Sequence, residues 1–151
     1  MKKIMLIVLL AIFSYAESKF SDPQPTFENP RKLVINLHVD DLNTVSHTIG
    51  SIYNILKEYP SDTLKVTVVL YGKGMRVIKK DYDKNTLSRI KSLMEYEVEF
   101  VGCRNTMETM KWKDSDFIEN IEFVQAGIVE IIERQTAGYI SVTPYWFKKR
   151  I

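Results

Sequence analysis

Val98-Glu99-Phe100-Val101-Gly102-Cys103-Arg104-Asn105-Thr106-Met107 decides how this chain folds. The first half is a short apolar run rich in strand formers. The second half opens a helix, with Asn105 and Glu108 spaced as a capping box. A strand that feeds directly into a helix is the repeating unit of α/β folds. Cys103, the only cysteine of the chain, stands at the joint. A thiol there lies at the carboxyl end of a strand and faces the positive end of a helix dipole, and both features favour the thiolate. Arg104 adds a cation if its side chain turns toward the sulfur. The plainer reading is a small buried cysteine that fills space below the strand end.

The same alternation runs outward in both directions. Upstream, Leu33 to Val39 reads as a strand. Val45, Ile49, Ile52, Tyr53 and Leu56 form a helical stripe with Asp41 or Thr44 as N-cap and Pro60 beyond its end. Leu64 to Tyr71 is a second strand, closed by Gly72-Lys73-Gly74, and Met75 to Ile78 suits a short helical turn. Leu87, Ile90, Leu93 and Met94 mark a helix capped near Asn85. Downstream, Met107 and Met110 share a short helix, Ile121 to Val124 is a fourth strand, Ile128, Ile131 and Ile132 form an apolar stripe, and Tyr139 to Val142 is a fifth strand. The class is therefore α/β, a mainly parallel five-stranded sheet with helices on both faces and right-handed crossovers.

Ligands of such sheets gather outside the carboxyl ends of the strands. His38, Asp40, Asp41, the Gly72 turn and Cys103 all belong to that edge. His38 beside two aspartates is a weak metal signal, because neighbouring strand residues point to opposite faces. A capping aspartate plus a satisfied histidine is the simpler account, with His38 kept as a possible support to the thiol. Gly72 and Gly74 suit a tight turn that needs positive φ, and its amides offer a hold for a small anionic sulfur species. There is no CxxC pair and no metal-spaced histidine cluster, so neither a metal nor a cofactor is expected.

The ends carry their own signals. Met1-Lys2-Lys3, the apolar run Ile4 to Phe13 and Ser14-Tyr15-Ala16 form the charge, core and small-residue order of a cleavable export signal ending at residue 16. The expected destination is the periplasm or the exterior. The apolar run is about half of the roughly 20 residues a membrane-spanning helix needs, so permanent membrane insertion is not expected. The formal charge is +2, and Lys2 and Lys3 leave with the signal. A nearly neutral mature chain is a poor partner for nucleic acid. Residues 17–31, with Pro23, Pro25 and Pro30, read as an extended arm ahead of a domain spanning 32–151. Tyr145-Trp146-Phe147-Lys148-Lys149-Arg150 reads as rings that pack on the domain or on a neighbouring subunit, followed by a solvated basic end.

Several of these segments, taken in order, resemble the DsrE/DsrF family of sulfur-relay proteins, with its TusD-like and YchN-like members. They are Lys32-Leu33-Val34-Ile35-Asn36, Val68-Val69-Leu70-Tyr71-Gly72-Lys73-Gly74, Val98 to Met107, and Val124-Gln125-Ala126-Gly127-Ile128-Val129-Glu130. The Cys-x-Asn-Thr-Met segment is the most specific. The resemblance implies a three-layer sandwich, assembly as a homo-oligomer (trimer or hexamer), and a persulfide-carrying role for Cys103 with a sulfur-donor or acceptor protein as partner. The best understood relay members act in the cytoplasm with dedicated partner subunits, whereas this chain is expected to be exported. Two functions follow as expectations: an exported sulfur carrier that holds sulfane sulfur on Cys103, with Arg104, Asn105, Gly72, Gly74 and His38 as possible support, or a noncatalytic oligomeric binding module in which Cys103 only packs.

Overall fold

The computed structural model describes residues 18–144. The expected export signal and the aromatic, basic end after Pro144 lie outside the described residues. Five strands form one sheet in the order β4-β3-β2-β1-β5. They are β1 (Arg31–Leu37), β2 (Leu64–Leu70), β3 (Glu99–Cys103), β4 (Glu122–Val124) and β5 (Ile140–Val142), and every pairing is parallel. The helices are α1 (Leu42–Glu58), α2 (Lys84–Glu95), α3 (Arg104–Met110) and α4 (Gly127–Thr136). A 3-10 helix, Gly72–Ile78, links β2 to α2.

The strand order fixes which face each helix covers. From β1 to β4 the chain steps one way across the sheet, and right-handed crossovers put the intervening helices on one face. Between β4 and β5 it travels back past three strands, so the same handedness puts α4 on the other face. The core divides accordingly. The larger cluster joins Ile35, Val68, Leu70 and Phe100 of the sheet to Val45, Ile49 and Ile52 of α1 and to Ile90 and Leu93 of α2. The smaller one has Val34, Val69, Val101 and Ile131 of α4 as its buried members, with Tyr71, Val124 and Tyr139 packed against it.

Local chemistry explains the helix starts. Asp41 caps α1 by accepting from the Thr44 N–H at 2.9 Å, and Asp83, rather than Asn85, caps α2 through Thr86. Tyr53 of α1 donates its hydroxyl to the Arg89 carbonyl of α2 at 3.1 Å. The apolar stripe expected on α4 is only partly used: Ile131 is buried, while Ile128 and Ile132 are 57% and 53% exposed. The sheet-facing row is instead Gly127, Ile131 and Arg134, and Arg134 spans toward polar residues of the sheet.

The proline-bearing arm packs on its own domain. Phe20 lies against Tyr59 with ring centroids 4.7 Å apart, Ser18 donates to Glu58 at 2.5 Å, and Arg31 donates to the Ser21 carbonyl. No described helix is long and apolar enough to cross a membrane.

Candidate functional site

Cys103 ends β3 and is itself the N-cap of α3, with no intervening turn. Its neighbours come from three directions. From below, the Met75 sulfur accepts the Cys103 backbone N–H at 3.2 Å, and Met107 is buried in the same cluster. From α3, the first-turn amides of Asn105 and Thr106 and the Thr106 hydroxyl face the sulfur. α4 begins at Gly127, and its N–H faces the same atom. Two helix amino ends therefore converge on one thiol.

Gly127 makes that convergence possible. A Cβ on this residue would stand 3.3 Å from the Cys103 Cβ and 3.2 Å from the Tyr71 Cβ. Both contacts are tighter than ordinary packing, so a side chain there requires α4 or its neighbours to give by a few tenths of an ångström. Cys103 is 5% exposed, and that burial pushes the thiol pKa up. The Gly127 N–H, the Thr106 hydroxyl and N–H, and the Asn105 N–H outweigh it and hold the pKa below the ordinary thiol value. Asn105 contributes least because its N–H is already given to the Gln125 carbonyl at 3.0 Å. That carbonyl also lies 3.8 Å from the Cys103 sulfur, where it accepts weakly from the neutral thiol.

The structure gathers the predicted support residues unevenly. Gly72 is close: its N–H donates to the Thr106 hydroxyl oxygen at 3.0 Å, and its φ of 52° meets the demand for a left-handed turn. With one lone pair taken by Gly72, the Thr106 hydroxyl directs its proton toward the sulfur. Gly74 acts farther away. A Cβ there would come within 1.9 Å of the Leu37 carbonyl oxygen, so only glycine lets the turn press against the end of β1.

Arg104 does not turn toward the sulfur. Its guanidinium forks onto Asp114 at 3.1 and 3.2 Å and lies over the Phe123 ring. Asp114 offers a bidentate partner at the surface, whereas the sulfur is already surrounded by amides. Asn105 is not a cap either. Because α3 starts at Arg104, the side chain falls in the first turn and accepts from Gln125 Nε2 at 2.6 Å. Glu108, the other half of the expected box, receives the same Nε2 at 3.2 Å. His38 is exposed and stacks on Tyr71 at 5.8 Å. Continuing the strand register puts it two strands from Cys103, roughly 10 Å away, with Tyr71 between. Asp40 pairs with Arg76 and Asp41 caps α1, so the three do not meet. Among the described residues no group of three or more histidine, cysteine or acidic side chains is placed to hold a metal.

The sequence of the site segments matches the DsrE/DsrF-like family over residues 35–144. The chain belongs to that family. Eight chains of solved structures match the fold at high significance. One is a protein of unknown function from Methanobacterium thermoautotrophicum, at 25% identity and a TM-score of 0.70, covering 76% of this chain and 99% of that one. No curated protein matches. Membership of the DsrE/DsrF-like family suggests a role in sulfur relay.

Reading residues alone missed Thr106, Gln125 and Gly127. Thr106 was legible as part of the Cys-x-Asn-Thr-Met segment, but its job was not. Gln125 and Gly127 lie more than twenty residues from Cys103 and meet it only because α4 doubles back over β3. A groove of about 1090 Å³ lies away from this site at the amino ends of β2, β3 and β4, among Lys65, Val98, Glu99 and Glu122.

Proposed function

We propose that this protein is an exported sulfur carrier that holds sulfane sulfur on Cys103 as a persulfide. One observation carries the reading: the thiol sits between the amino ends of α3 and α4, lined by N–H groups and a hydroxyl that favour an anion on sulfur. The same donors suit the terminal sulfur of a persulfide, which is also anionic near neutral pH. In the transfer, the Cys103 thiolate attacks the outer sulfur of a donor persulfide. A new S–S bond forms, the donor's S–S bond breaks, and the donor leaves as a thiolate that takes the proton. A thiolate of an acceptor protein reverses the step by attacking the outer sulfur and releasing Cys103. No net oxidation occurs, and no cofactor is needed. Export by residues 1–16 and assembly as a trimer or hexamer belong to the same proposal.

The low exposure of Cys103 favours a second reading, a noncatalytic oligomeric module in which the cysteine packs. One experiment separates them. The reduced protein is exposed to a polysulfide donor and its intact mass recorded. A carrier gains one sulfur atom, and Cys103→Ser gains none. A wild-type protein that gains nothing, with its thiol shown to be reduced, leaves only the packing role.

A further inference from the structure

We propose that α4 is a lid over Cys103, hinged near its carboxyl end and latched at its amino end by the side chain of Gln125. The purpose of such a lid rests on the sulfur-carrier reading; its existence does not. The thiol is 5% exposed, yet a carrier must admit a donor to it. Against the sulfur on the α4 side lie the Gln125 carbonyl, at 3.8 Å, and the Gly127 N–H; on the α3 side lie Thr106 and the Asn105 N–H.

The two ends of α4 are fastened very differently. Near the carboxyl end, half-buried Arg134 donates to Glu130 at 2.6 Å, to Glu99 at 2.7 Å, to the Tyr139 hydroxyl at 3.0 Å and to Thr67 at 3.1 Å. Its guanidinium also lies over the Tyr139 ring, and Ile131 packs on Val34, Val69 and Val101. At the amino end the only buried residue is Gly127, which has no side chain to bury. Ile128 and Val129 are 57% and 54% exposed. Beyond Val124, which pairs with Cys103 in the sheet, the fastening there is the Gln125 amide, which bridges Asn105 Oδ1 at 2.6 Å and Glu108 Oε1 at 3.2 Å, with Asn105 N–H to Gln125 carbonyl beneath it. All three residues are exposed, so water replaces these bonds readily when they part. The other route to the sulfur is through α3, and it requires pulling Met107 from the main core. The swing of the start of α4 is the cheaper motion.

Opening is read by alkylation of Cys103 with iodoacetamide in the full-length native chain. Rates measured across pH separate the fraction of thiolate from access to it. Losing both side-chain bonds in Gln125→Ala raises the limiting rate of the thiolate about tenfold, and losing one in Asn105→Ala or Glu108→Ala raises it about threefold. Gln125→Glu, which sets a carboxylate against Glu108, provides an independent opening variant and raises the same limiting rate. Limiting rates equal to wild type in folded Gln125→Ala and Gln125→Glu overturn the lid. So does an acceleration explained wholly by a lower thiol pKa. No sulfur donor enters the measurement, so a failed persulfide test and a failed lid test are distinct results.

Discussion

At the scale of single residues, the chemistry of Cys103 depends on atoms that belong to other residues' backbones. Because hydrogen bonds hold its folded pKa below the ordinary thiol value, ionisation is linked to folding. Between the depressed folded pKa and the unfolded value near 8.5, the native state is a thiolate while the unfolded chain still holds the proton. Stability from this group therefore rises with pH through that window, is fully present above it, and is lost as pH falls through the folded pKa. Denaturant midpoints followed across this range should show the rise in wild type and not in Cys103→Ser. Gly127→Ala tests the cause. The added methyl meets Tyr71 and Cys103 at 3.2 and 3.3 Å, tighter than ordinary packing, and a retreat of the start of α4 from the sulfur relieves it. The expected result is a thiol pKa displaced toward its ordinary value, read by ultraviolet thiolate absorbance, with an overpacking cost of about 1–3 kcal/mol. An unchanged pKa would mean that α3 alone ionises the thiol. Of this site, the cysteine and its strand-to-helix joint were legible. The cation expected from Arg104 was not delivered, because Asp114 competes for it with two hydrogen bonds.

At the scale of elements, local signals located most boundaries and missed what each element faces. α1 shows the legible case. Asp41 was one of two candidate caps, and the structure selects it through the Thr44 N–H. That N–H holds the Asp41 carboxyl below the usual carboxylate range. Its stabilisation is present above that range and lost as pH falls through the depressed pKa. Asp41→Ala should cost about 1 kcal/mol in chemical denaturation at neutral pH, and the difference from wild type should shrink in acid. A full-sized difference persisting in acid would point to packing instead. α4 shows the illegible case. Its isoleucines have helical spacing, but spacing does not say how wide the surface beneath the helix is. The fully buried apolar surface there is Val34, Val69 and Val101, beside Thr67 and Glu99, so Ile131 is the isoleucine that is buried and Arg134 meets the polar part.

At the scale of the whole molecule, strand order is the decisive fact. Placing β5 beside β1 sends α4 back over the carboxyl end of β3, and this alone brings Gly127 and Gln125 to Cys103. The arm is part of the same body, since Phe20 closes over Tyr59 at the end of α1. Phe20→Ala should lower stability by about 1 kcal/mol and raise amide exchange at the carboxyl end of α1, with β3 and α3 unchanged. Exchange that rises everywhere would show the arm to be integral to the core. The sequence by itself determined the α/β class, the alternating elements and the position of the cysteine, because hydrophobic period, caps and turn residues act over a few neighbours. The meeting of two helix amino ends on that cysteine, the diversion of Arg104 and the separation of His38 were decided only by tertiary structure. Those outcomes depend on which strands become neighbours and which face a returning helix covers, and no short-range pattern encodes either.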